Sequence, residues 1–188
     1  TKLEENEYNI IKLNFENPEQ GDKWNPLSLP QNLYKQGKKD KSLEIIEDLA
    51  YYLFSDDKNS IDPFWTNSVI DYFTGTTLYL LETEIKEITL KDIYETAHKL
   101  NKETLKKLEK NGSIYINLVG TLGAPEETKG SILATFNQKI KKYIQKENLS
   151  KMIETSTFDY METTKKPTAI FIVSGTSSAS SNLIPLFI

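Results

Sequence analysis

The chain has 188 residues, 38% of them apolar and 27% charged, a balance that fits a soluble globular fold and excludes a disordered one. Zero cysteines exclude disulfides and thiolate metal sites, and the single histidine, His98, leaves little for a histidine-based metal site or triad. A net charge of -4 argues against a general nucleic-acid coat, and the longest apolar run, Ala169 to Val173, is far below the roughly 20 residues that cross a bilayer.

Taken in chain order, Tyr8 to Phe15 mixes β-branched and aromatic residues and stops at Asn17-Pro18, which predicts a short strand. Asp40 is expected to cap a helix through about Phe54, with Leu43, Ile46, Leu49, Ala50, Leu53 and Phe54 on one face. Asp62 followed by Pro63 is a start signal for a helix to about Glu82. The apolar and aromatic residues of that helix, among them Phe64, Trp65, Tyr72, Phe73 and Tyr79, point to core packing in preference to base stacking.

Thr89 to Asp92 opens a third helix ending at His98 or Lys99, and Asn101 to Lys110 a fourth, closed near Gly112. Ile114 to Leu122 reads locally as a strand. Pro125-Glu126-Glu127 starts a long helix to about Gln145, acidic at its start and basic at its end as the macrodipole favours. Leu149 to Met161 is expected to hold one more short helix and a turn. Thr168 to Val173 is a continuous apolar run of the kind found in strands buried on both faces. Ser174 to Ser181 reads as a polar loop.

Two strands cannot make a stable sheet alone, so some 150 mostly helical residues between them suggest a helical domain inserted into an incomplete sheet. The apolar end, Leu183 to Ile188, adds the expectation of a fragment of a larger protein. No Gly-Lys-Ser/Thr phosphate loop occurs, and Gly37 to Ser42 and Lys129-Gly130-Ser131 are near misses with the wrong residue before the hydroxyl. ATP hydrolysis by these residues alone is not expected.

Asp56, Asp57 and Asp62 crowd together, but without calcium-loop spacing they read as a solvated loop and a helix cap. The basic candidates are Lys139, Lys142 and Lys146 with Tyr143 beside them, and Lys38, Lys39 and Lys41 around one turn. Either group could touch a phosphate backbone, and a solvated face with a favourable dipole interaction is the reading favoured over that contact. All 23 basic residues are lysine, so any phosphate contact is made by point charges without the bidentate fork of arginine, and sequence-specific readout is not expected.

Three phrases remain: Lys23-Trp24-Asn25-Pro26-Leu27, Asp62 to Ser68 running on to Phe73-Thr74-Gly75, and Ala124 to Leu133. In their order they resemble the conjugative-transfer coupling proteins of type IV secretion, hexameric RecA-like ATPases that feed DNA and its relaxase into a transfer channel. The resemblance implies a mainly α fold: a fragment of RecA-like α/β domain (1-27), an all-helical substrate-receptor domain (28-163), and a returning strand with the start of a helix (164-188). It also implies a helix, not a strand, over Ile114 to Leu122. By the same resemblance the parent is membrane-anchored on the cytoplasmic face and a homo-hexamer. Its ATP and magnesium sites lie outside these residues, and no cofactor is expected within them.

The implied function is recognition of DNA, single- or double-stranded, and of relaxosome proteins, for ATP-driven transfer. One alternative is a module that docks the relaxase or an accessory protein without touching DNA, which the acidic net charge favours. A remote one is a small hydrolase using the Asp56 to Asp62 acids.

Overall fold

The computed structural model describes residues 7–55, 63–83, 86–174 and 182–187. Among these, eight α-helices lie between two strands, β1 (Asn9–Asn14) and β2 (Thr168–Val173). The helices are α1 (Ser28–Lys35), α2 (Lys39–Phe54), α3 (Pro63–Thr83), α4 (Leu90–Ala97), α5 (Lys102–Lys107), α6 (Ser113–Leu122), α7 (Glu126–Ile144) and α8 (Glu147–Glu154). The strands pair in parallel from Asn9 opposite Thr168 to Asn14 opposite Val173. Parallel neighbours need a crossover, and here the crossover is the entire set of helices.

Helix α3 is the axis of the core. Val69, Tyr72 to Leu78 and Leu80 are all buried, so this helix is covered nearly all round, as its apolar sequence requires. Its Phe73 meets Phe54 of α2 at 5.3 Å between ring centroids, and its Tyr72 meets Phe136 of α7 edge-on at 5.8 Å. Burial pushes the Tyr72 hydroxyl far above its ordinary range, and the hydroxyl donates to the Ala97 carbonyl at 2.5 Å. Helix α7 supplies a buried stripe of Ile132, Phe136, Ile140 and Tyr143, spaced four, four and three residues apart. Ile11 and Leu13 of β1 join the same cluster, so strand and helices share one core.

Several element starts follow local chemistry. At α4 the Thr89 hydroxyl accepts from the Asp92 backbone N–H while the Asp92 carboxylate accepts from the Thr89 backbone N–H, a reciprocal cap. Burial alone would raise the Asp92 carboxyl, yet hydrogen bonds from Lys86 and Thr89 hold it below the usual range. Asn101 caps α5 in the same way.

Other expectations need correction. Asp40 does not cap α2: Lys38 occupies the cap position without a side-chain bond, and Asp40 lies in the first turn, where the macrodipole still favours it. Helix α5 ends at Lys107, three residues early, because Leu108 turns extended. Ile114 to Leu122 is helical, as the resemblance implies and the local pattern does not. Helix α1 has no counterpart in the sequence reading, although Pro30 in its first turn and Gly37 at φ +79 beyond its end are its start and stop signals.

The apolar strand β2 is not buried on both faces. Each of its residues is at least partly accessible and Phe171 is 49% exposed, because β1 is its one neighbour among the described residues. The opposite edge of β1 is covered: the Lys12 backbone N–H donates to Asp22 Oδ2 at 2.9 Å, and the Lys12 carbonyl accepts from the Asp22 N–H at 2.7 Å.

Candidate functional site

Asn25, from the first of the three phrases, is wholly buried where the strand end meets the helices. Its Nδ2 donates to the Ile88 carbonyl at 2.8 Å, with Glu87 Oε1 at 3.2 Å and the Glu154 carbonyl at 3.4 Å, while its Oδ1 accepts from the Leu27 N–H at 3.0 Å. Gln31 works beside it, donating to the Lys86 carbonyl at 2.6 Å and accepting from the Ile88 N–H at 3.1 Å. Two buried amides thus pair with the backbone of residues 86–88 as a neighbouring strand would, which satisfies polar groups that burial would otherwise penalise. Trp24, buried next to them, donates its backbone N–H to Met152 at 2.8 Å. Above this junction lies a groove of about 510 Å³ whose Ser28 hydroxyl already bonds Glu87 at 2.5 Å and Ser156 at 3.1 Å.

The second phrase also packs. An ideal Cβ on Gly75 would lie 2.7 Å from Leu118 Cγ and 2.9 Å from Asn117 Cβ, so Gly75 is what lets α6 press against α3. In the third phrase Pro125 sits at the cap of α7 with Glu126 and Glu127 in its first turn, and no side-chain cap bond forms. Asn25 of the first phrase and Gly75 of the second therefore hold the scaffold together, and the third marks the start of α7.

The basic candidates divide sharply. Lys142 and Lys146 are exposed around the end of α7. Lys139 is half-buried and its ammonium donates to the Phe54 carbonyl, which ties it to the end of α2. Tyr143 is a correction: it belongs to the buried stripe, is 0% exposed and has no ring face open to a base. The four-four-three spacing that it completes was the available signal.

Around the other turn, Lys38 and Lys41 are exposed, but Lys39 pairs with Glu82 at 2.9 Å and lies over the Tyr34 ring at 4.7 Å. Glu82 also accepts the Tyr34 hydroxyl, and the hydrogen bonds from Tyr34 and then Lys39 hold its carboxyl below the usual range.

Asp56, Asp57 and Asp62 lie outside the described residues, as does most of the Ser/Thr run. His98 is an exposed helix-end residue with Nε2 at 2.9 Å from Asn137 Oδ1. Among the described residues no group of three His, Cys, Asp or Glu side chains is placed to hold a metal ion, and no helix is long and apolar enough to cross a membrane.

A parallel strand pair is interrupted by a helical body and held to it by a buried Trp-Asn-Pro-Leu junction. The family model for type IV secretory system conjugative DNA transfer matches residues 2–187, and the chain belongs to that family. Neither a curated protein nor a solved structure matches it significantly.

Proposed function

We propose that this chain is the all-helical substrate-receptor region of a conjugative coupling protein, with two strands of its RecA-like motor domain at the base. The observation that carries the reading is the family match over nearly the whole chain, joined to parallel strands whose crossover is the helical body. The accessible apolar strand β2 fits a sheet that continues beyond it.

In this reading the helices meet DNA and relaxosome proteins through lysine point charges, without sequence preference, on the cytoplasmic side of the membrane. The parent assembles as a hexamer at the secretion channel, and its ATP and magnesium are held by residues outside this chain.

One observation favours the protein-docking alternative. Glu44, Glu47 and Asp48 of α2 and Asp71 of α3 sit close enough that burial and then their mutual repulsion push the Glu47 carboxyl up, a local field suited to a basic partner.

A thermal-shift panel tests the receptor reading. At low salt, single-stranded DNA is expected to raise the melting temperature in a concentration-dependent way, whereas magnesium-ATP leaves it unchanged. A reproducible rise with magnesium-ATP alone would place nucleotide chemistry in this chain and contradict the reading. A rise with a purified relaxosome protein but not with DNA would select the docking alternative.

A further inference from the structure

Helix α3 is covered nearly all round, yet its first half opens to solvent along one line. Between Phe64 and Leu81 the exposed residues are Phe64, Asn67 and Asp71, three and four positions apart, and Phe64 is 50% exposed. Helix α2 presents a line of its own: beside its buried face, Glu44, Glu47, Asp48 and Tyr51 are exposed at the same spacings, Tyr51 by 57%. Burial, then repulsion from Asp48, Asp71 and Glu44, pushes the Glu47 carboxyl up, and the part played by Asp71 sets the line of α3 beside that of α2.

Two properties set this face apart. The first is charge without compensation. From Ser42 to Thr83 the described residues carry five carboxylates and no lysine, in a chain that has 23 lysines. Glu82 pairs with Lys39, but among the described residues no lysine lies within ion-pair distance of Glu44, Glu47, Asp48 or Asp71. Glu44 and Asp48, four positions apart, even form a like-charge pair that disfavours the helix. The second property is aromatic. Tyr51 and Phe64 are two of the five large hydrophobic side chains exposed among the described residues. Each stands edge-on to its chain neighbour, Tyr51 to Tyr52 at 5.6 Å and Phe64 to Trp65 at 5.0 Å between centroids, and Trp65 packs on the core.

The chemistry of the face selects its occupant. Its carboxylates repel nucleic acid and acidic segments, and an apolar partner would bury them unpaired. A cationic segment pairs with them, and a guanidinium suits the face best, because it forks onto a carboxylate and also stacks on a ring. A second copy of this chain has no arginine to offer.

We propose that Glu44, Glu47, Asp48 and Tyr51 of α2, with Phe64 and Asp71 of α3, form a docking face for an arginine-rich segment of a partner protein. The proposal deepens the receptor reading and rests on it, giving the protein partner a place and a charge.

The test is fluorescence anisotropy on the whole chain with labelled octa-arginine and octa-lysine at 150 mM salt, where attraction beyond about 8 Å is screened. Wild type is compared with E44Q/E47Q/D48N/D71N, with Y51A/F64A, and with the control E95Q/E109Q/E126Q/E127Q, which removes as much charge elsewhere. Four ion pairs of ordinary surface strength make the first variant at least tenfold weaker for octa-arginine. Loss of two exposed cation–π contacts makes the ring variant about fivefold weaker. The control is expected to stay within about twofold of wild type, and octa-lysine to bind wild type several-fold more weakly than octa-arginine. Since the first variant relieves repulsion, its melting temperature should equal or exceed that of wild type, which separates lost contacts from lost folding.

Wild-type affinity in the first variant, an equal loss in the control, an unaffected ring variant, or equal binding of the two peptides overturns the face. So does absence of octa-arginine binding by folded wild type. If a purified relaxosome protein then raises the melting temperature of wild type and of E44Q/E47Q/D48N/D71N alike, the receptor reading stands without this face. If neither that protein nor DNA shifts wild type, the reading falls with it.

Discussion

Replacing Asn25 with aspartate, nearly the same shape, is expected to destabilise the chain by about 3 to 5 kcal/mol at neutral pH, the cost of leaving an uncompensated charge buried. The Nδ2 that donates to Ile88, Glu154 and Glu87 becomes an oxygen facing two carbonyls and a carboxylate, so every one of those contacts changes from attraction to repulsion. Replacement by alanine leaves the Leu27 N–H and the Ile88 carbonyl without their partner but introduces no charge, and is expected to cost less, about 2 to 3 kcal/mol.

The order of the two variants therefore reports the polarity of the site. It also predicts a pH dependence. Burial among acceptors raises the introduced carboxyl above its unfolded value, so the deficit of Asn25→Asp is smallest below pH 4 and grows as pH rises until the folded-state value is passed. Urea melts at pH 4 and pH 7 measure it. A deficit independent of pH, or one smaller than that of Asn25→Ala, would contradict the hydrogen-bond assignments at the junction.

The second large effect is at Gly75. Valine there is expected to cost about 3 kcal/mol, because the first added carbon already falls 2.7 Å from Leu118 Cγ and 2.8 Å from its Cδ2, and the helix pair must move apart to admit it. For a chain of this size that is a fall of about 6 to 12 °C in melting temperature. Alanine separates sterics from propensity. In an open helix Gly→Ala gains about 1 kcal/mol, and Gly130 in α7, with nothing within 4 Å of its ideal Cβ, is the matched control. Gly130→Ala is expected to stabilise and Gly75→Ala to destabilise. Stabilisation by both would mean that the contact between α3 and α6 is not close.

Local chemistry made much of the fold legible. Thr89 with Asp92, Asn101 with Thr104, and Pro125 before two glutamates each mark a helix start within a few residues, and each is where the sequence placed it. Helix α1 was missed because its cap position, Leu27, has no side-chain acceptor, which left only Pro30 and Gly37 as punctuation. Ile114 to Leu122 misleads locally because its β-branched residues favour a strand, whereas contact with α3 makes it a helix.

The site was less legible, for a reason of range. Apart from Leu27, the partners of Asn25 lie 62 to 131 residues away, and Gly75 depends on Leu118, so a motif seen in one dimension did not disclose that its role was packing. Tyr143 looked like a stacking residue because it stands beside lysines, but its position on the stripe from Ile132 outweighed those neighbours.

The central claim, that this chain meets DNA through lysine charges, is tested most directly by the salt dependence of wild-type binding to a labelled single strand. A linear log–log plot with a slope between about -2 and -4, unchanged across unrelated sequences, is the expected result. A flat slope, or no binding at 50 mM salt by a chain whose melt shows it folded, would contradict the claim and leave protein docking as the function of the helical region.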